Sequence, residues 1–129
     1  MNITNYLGLR HCYGELDCIT LIKTFYEREL GVSFELPKYD HSNRWVLGFT
    51  QQQLNDWISK SAIKTSLTTA KNYDLIAFKS KQNRINHFAM FLAPTSMLHV
   101  EEGSSSKIEM LNDNWINLVY AVYRHEQLV

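Results

Sequence analysis

The sequence predicts an α+β fold in which N-terminal helices pack on a central antiparallel sheet of short strands. Helical apolar spacing occurs at 18–30 and 51–60, in the first half of the chain. From residue 73 the pattern changes to short apolar runs bounded by turn residues. Helices followed by a strand meander form an α+β order, not a βα alternation.

Residues 1–12 read as a short helix or irregular lead-in. In the first helix, Cys18–Leu30, Cys18, Leu21, Ile22 and Phe25 fall at i, i+3, i+4 and i+7 and share one face. Gly31 stands where a glycine ends a helix. Val32 to Asp40 reads as extended, with Pro37 blocking a helix, and 38–48 as a polar surface loop containing Trp45 and His41. Thr50-Gln51-Gln52-Gln53 has the form of a capping box for a second helix striped by Leu54, Trp57 and Ile58. Residues 61–71 are a connection with room for one short strand.

Strands are expected at Tyr73–Phe78, Asn86–Leu92, Ser96–Val100 and Ile116–Arg124. Lys79 to Arg84 is a charged turn and Glu101 to Ser106 a polar one. Ile108 to Asn114 reads equally as a short strand or a turn.

A chain of 129 residues fits one domain, 1–129, and 45% hydrophobic residues suffice for a core. Thirteen basic and thirteen acidic residues balance, so no basic stripe marks a nucleic-acid partner. No apolar run reaches the length of a membrane span. Met1-Asn2-Ile3-Thr4-Asn5 lacks the charged start and apolar core of a signal peptide, so synthesis in the cytoplasm is expected, with export by another route. Of the two cysteines, Cys12 and Cys18, a disulfide would close a very short loop in a reducing compartment. Zinc on His11, Cys12 and Cys18 does not match the usual ligand spacing, so no metal is expected.

Cys18 follows Asp17 at a helix start, where unpaired N–H groups favour negative charge. A thiol there is expected to have a lowered pKa, as a nucleophile requires. A buried packing cysteine beside an N-cap aspartate fits the same stretch. His87 and His99 lie in consecutive strands, where facing side chains are about 5 Å apart. Facing histidines can share a hydrogen bond, one acting on a thiol while the other orients it. Either alone also reads as a satisfied strand histidine. His125, after Arg124, is expected at the exposed end of the last strand.

The ordered set Asp17-Cys18-x-x-Leu21, Phe25-Tyr26, Leu30-Gly31-Val32, Pro37, Tyr73–Phe78, Asn86–Leu92, Met97–Val100 and Tyr123-Arg124-His125 resembles the NlpC-type cell-wall cysteine peptidases. This is a compact papain-like family, and the chain is most similar to its short members in the tails of long-tailed phages. The resemblance spans nearly the whole chain. It implies Cys18 as nucleophile, His87 as general base and acid, and His99 as the polar group that orients His87. It also implies a tyrosine near the oxyanion, for which Tyr13 and Tyr6 are both candidates. Asp17 becomes a cap that positions Cys18.

The implied reaction is hydrolysis of an amide in a peptidoglycan stem peptide, without a cofactor. The implied partners are other phage tail-tip proteins, and the implied place of action is the cell wall. The alternatives are a structural tail-tip or tail-assembly subunit with little activity, and another thiol amidase or acyltransferase on the same scaffold.

Overall fold

The computed structural model describes residues 3–13, 15–33 and 50–129. Pro37, His41 and the polar loop expected at 38–48 lie outside the described residues, as does the expected extended segment beyond residue 33.

Helix α1 spans Cys18–Phe25. Its start is a reciprocal cap. The Asp17 carboxylate accepts from Ile19 N at 3.2 Å and Thr20 N at 2.9 Å, and Thr20 Oγ1 accepts from Asp17 N at 2.8 Å. The chain continues as a π-helical turn over Tyr26–Leu30 and stops at Gly31, whose φ of 64° is left-handed. Helix α2, Gln51–Ser59, starts with the expected capping box of Thr50 and Gln53.

The six strands are β1 (Ala62–Thr65), β2 (Leu75–Lys79), β3 (Ile85–Leu92), β4 (Ser96–His99), β5 (Lys107–Met110) and β6 (Val119–His125). They form one antiparallel sheet in the order β1-β6-β2-β3-β4-β5. The ambiguous stretch at 108–114 holds β5 and the start of a one-turn helix, α3 (Asp113–Ile116), capped by Asn112 Oδ1 accepting from Trp115 N at 3.1 Å. The last strand begins three residues later than expected because Ile116 belongs to α3.

Alternation along the strands feeds two cores. Helix α1 packs over β3 and β4, where Leu21, Ile22 and Phe25 meet Leu75, Ala77, Phe88, Met90, Leu98 and Tyr123. The other core gathers Ile76, Phe78, Ala89, Phe91, Met97, Leu111 and Val122, with Trp115 against it. A register shift lies between Phe78, paired with His87, and Lys79, paired with Ile85. The bulge at Asn86 turns Ile85 into the helix-side core although it has the same parity as His87.

The lead-in is a single 3₁₀ turn, Ile3–Tyr6, followed by a strap tied to the turn after β4. Ser106 Oγ donates to Tyr6 O at 2.6 Å and accepts from Leu9 N at 2.9 Å, and His11 N donates to Ser104 O at 3.0 Å. A tight turn then pairs Cys12 with Leu16 and delivers the chain to Asp17.

Asp74, only 1% exposed, sits at the mouth of β2. Arg124 on β6 donates to both its oxygens, from Nε at 3.0 Å and Nη2 at 2.8 Å. Removing the cation would leave a buried carboxylate without its charge partner. Arg124→Ala should therefore lower unfolding free energy by about 3 kcal/mol in urea titrations, and a loss below about 0.5 kcal/mol, the scale of an ordinary surface substitution, would show the pair to be dispensable.

Candidate active site

Three elements converge at the N-terminus of α1. The cap on Asp17 fixes the first turn, so Cys18 enters the helix with its thiol on the buried side, 9% exposed. The backbone N–H groups of Phe88, Cys18 and Ile19 all stabilise negative charge on that sulfur. Phe88 directly follows His87 in β3, so the sulfur lies beside the backbone of the strand that bears the first histidine.

The two histidines meet. His87 Nε2 and His99 Nδ1 are 3.0 Å apart, and their rings stand edge to face at 5.2 Å between centroids. They are not directly opposed, as the sequence suggested. Met90 pairs with Leu98, so one step further His99 falls opposite Ala89, and His87 is its diagonal neighbour on the same face. His99 is fully buried. Its Nε2 lies 2.8 Å from Glu109 Oε1, and Trp115 Nε1 donates to Glu109 Oε2 at 3.0 Å. The Trp115 ring lies over both histidines, with centroids 5.8 Å from His87 and 5.2 Å from His99, while Phe78 stacks on His87 from its cross-strand position at 5.8 Å.

Burial governs the protonation states. Desolvation, seconded by the Asp17 charge, pushes the Cys18 thiol up to about 12 despite the three N–H groups. The expected depressed thiol pKa is thus overturned, because the cost of enclosing a thiolate exceeds what the helix start returns. Desolvation, then the neighbouring His99 and His11, pushes His87 down to about 3. The ring keeps partial contact with solvent. His99 is lowered as well, by burial first, against the opposing pull of Glu109 and Glu101. At rest, therefore, the thiol and both imidazoles are neutral. No hydrogen bond joins Cys18 Sγ to His87 among the described residues, and contacts of this kind commonly tighten only when substrate binds.

The tyrosine candidates separate. Tyr6 is buried edge-on against Phe25, 4.9 Å between centroids, and its hydroxyl donates to Glu29 Oε1 at 3.2 Å. It is engaged in the helix-side core. Tyr13 stands against the His11 ring at 4.6 Å, and His11 is close enough to disfavour charge on His87. Asp17 has the capping role expected of it. His125 is buried, with Nε2 3.1 Å from Ser33 O, and so corrects the exposed position expected of it.

A groove of about 540 Å³ opens beside His87 and Trp115, edged by Lys79, Lys81, Glu101 and Glu102. Of the three expected site residues only His87 lines it; Cys18 and His99 lie beneath the surface. Cys12 and Cys18 are free thiols, and neither joins a metal-ligand cluster among the described residues. His99, Glu101 and Glu109 do bring ligand atoms within 4.8 Å of one another, but His99 Nε2 is already engaged by Glu109.

Sequence reasoning missed Glu109 and Trp115. Both fall in or beside the ambiguous stretch, where Lys107-Ile108-Glu109-Met110 offers only four residues of alternation.

The family model for NlpC/P60 matches residues 7–124. The chain belongs to the NlpC/P60 family. Among solved structures, an NlpC/P60 family protein from Bacillus cereus is similar with a TM-score of 0.68 and 21% identity, over 95% of this chain and 37% of that one. A lipoprotein-like NLP/P60 family protein from Staphylococcus aureus is similar with a TM-score of 0.65 and 20% identity, over 95% of this chain and 38% of that one. These likenesses show the papain-like NlpC/P60 fold. The chain spans less than two fifths of either protein's length. A search of curated proteins returned no match.

The NlpC/P60 site in this chain should show its burial in solution. A bulky maleimide at pH 7 should modify exposed Cys12 before Cys18, and Cys18 alkylation should accelerate only well above pH 9. Peptide mapping of the labelled chain checks both, and faster labelling of Cys18 at pH 7 would mean a preformed thiolate.

Proposed function

We propose that this NlpC/P60 chain is a cysteine peptidase that hydrolyses an amide bond in peptidoglycan stem peptides. The observation that carries the reading is the contact between His87 on β3 and His99 on β4, with Phe88, the residue after His87, presenting its N–H to the Cys18 sulfur.

His87 acts as general base. It takes the Cys18 proton as the sulfur attacks the carbonyl carbon, so charge separates only as the C–S bond forms. The Cys18 N–H at the helix start and the Tyr13 hydroxyl are the proposed donors to the tetrahedral oxyanion. Protonated His87 then delivers its proton to the departing amine as the C–N bond breaks. Water, deprotonated by His87, hydrolyses the thioester and returns the thiol. His99 orients the His87 ring throughout. The oppositely charged edges of the groove, Lys79 and Lys81 against Glu101 and Glu102, suit a peptide that bears both a carboxylate and an amine.

The finer reading is that the domain serves a long-tailed phage, in company with other tail-tip proteins, and opens the cell wall locally during genome entry. Its support is the resemblance of Asp17-Cys18-x-x-Leu21, Phe25-Tyr26, Leu30-Gly31-Val32, Pro37, Tyr73–Phe78, Asn86–Leu92, Met97–Val100 and Tyr123-Arg124-His125 to short tail-associated members of the family. A second reading, a tail-tip subunit with little activity, is favoured by one observation: the thiol is enclosed and held protonated at rest.

Cys18→Ala should abolish the release of stem-peptide fragments from purified peptidoglycan, followed by mass spectrometry, while leaving the circular dichroism spectrum unchanged. Hydrolysis retained by that variant would sink the peptidase mechanism, and a wild type that digests no wall would favour the structural subunit. The lowered pKa of His87 has its own consequence. The base is lost only as pH falls through its pKa, so the acid limb of kcat/KM should lie below 6.5. A limb at or above 6.5 would show that His87 is hydrated in solution or is not the base.

A further inference from the structure

The hydrogen-bond chain does not stop at the two histidines. A neutral imidazole has one N–H and one bare nitrogen, so each contact in a chain of rings constrains the next. The end of this chain is Glu109. Burial pushes its carboxyl up, but hydrogen bonds from Trp115 and His99 and the charge of Lys107 outweigh that and hold it below its ordinary value. It is an ionised acceptor at neutral pH.

An ionised carboxylate can only accept. At 2.8 Å from Glu109 Oε1, His99 Nε2 must carry the hydrogen. His99 Nδ1 is then bare. The 3.0 Å contact from His99 Nδ1 to His87 Nε2 needs one donor, which must be His87 Nε2–H. His87 Nδ1 is left bare, and it is the only ring nitrogen that can take a proton from the thiol. With the opposite orientation His99 Nδ1–H would donate to His87 Nε2, the hydrogen of His87 would move to Nδ1, and the base would have no lone pair to offer the sulfur.

We propose that Glu109 is a positioning residue that sets both tautomers and thereby makes His87 a base toward Cys18. Trp115 supports it by holding the second carboxylate oxygen with Nε1 at 3.0 Å and by covering both imidazole rings. When His87 accepts the thiol proton, the Glu109 charge at the far end of the chain faces the new imidazolium. The role in catalysis rests on the reading of Cys18 and His87 given above; the tautomers themselves do not.

Long-range ¹H–¹⁵N correlation spectra of the ¹⁵N-labelled full chain at pH 7, assigned with His87→Gln, read the tautomers directly. The wild type should show His99 and His87 both protonated on Nε2 and bare on Nδ1. Glu109→Ala should give mixed tautomers at both rings, with kcat/KM on peptidoglycan down roughly ten- to hundredfold, the usual cost of losing a partner that orients a histidine. In Glu109→Gln the single amide oxygen can accept from His99 Nε2–H or from Trp115 Nε1–H but not from both. That variant should therefore give tautomers and a rate between those of the wild type and Glu109→Ala. Protonation of wild-type His99 on Nδ1, or unchanged tautomers in folded Glu109→Ala, would overturn the proposal. The wild-type spectrum decides it even if Glu109→Ala fails to fold. The spectra need no substrate, so a chain that hydrolyses nothing still reveals whether Glu109 sets the tautomers.

Discussion

The site depends on how β3 changes face. Between Ile85 and His87 the strand carries one extra residue, Asn86, against β2. Before the bulge Ile85 packs beneath the helices; after it Phe88 and Met90 do so, while His87 and Ala89 turn to the other side. One strand therefore presents a backbone N–H to the Cys18 sulfur and, from the adjacent residue, an imidazole to His99. A regular strand would have placed Ile85 and His87 on the same face, since side chains alternate with period two.

Around that strand the protein holds most of its polar chemistry away from water. His99 and the thiol are enclosed by the sheet, Trp115 and the first turn of α1, while His87, flanked by Phe78 and Trp115, keeps one side to the groove. Desolvation acts in opposite directions on the two kinds of group, raising the acid and lowering the bases, and both shifts favour neutrality. A dry site costs a resting ion pair, but it strengthens the interaction of any charge created during reaction with the dipoles already in place. The N–H groups of Phe88, Cys18 and Ile19 are such dipoles. The one fixed charge in the hydrogen-bond chain, Glu109, is kept at the half-exposed end, where Lys107 lies 3.5 Å away.

Local signals were legible where they act within a few residues. The Thr50–Gln53 box, Gly31 as a left-handed stop and the apolar stripe of α1 are all interactions inside one turn of helix, and all appear as read. The pairing of His87 with His99 was legible because a short hairpin makes neighbours of consecutive strands. Its diagonal offset was not, since register depends on the turn at 93–95 and on packing across the sheet. Tyr6 and Tyr13 could not be told apart, because both precede Asp17 and only the strap tied by Ser106 decides that Tyr6 enters the helix-side core. Glu109 was hidden for a similar reason. A four-residue edge strand has little periodicity, and nothing near it in sequence points to a histidine ten residues away.

By itself the sequence determined the fold class, the helix that begins at Cys18 and the set of residues able to do thiol chemistry. Those follow from periodicity, capping and residue type, which are short-range properties. The tertiary structure decided the protonation states, the order of the hydrogen-bond chain and the engagement of Tyr6 in the core. These are set by burial and by contacts between distant segments, and the same Asp-Cys helix start that lowers a thiol pKa in water fails to do so once the packed sheet removes the water.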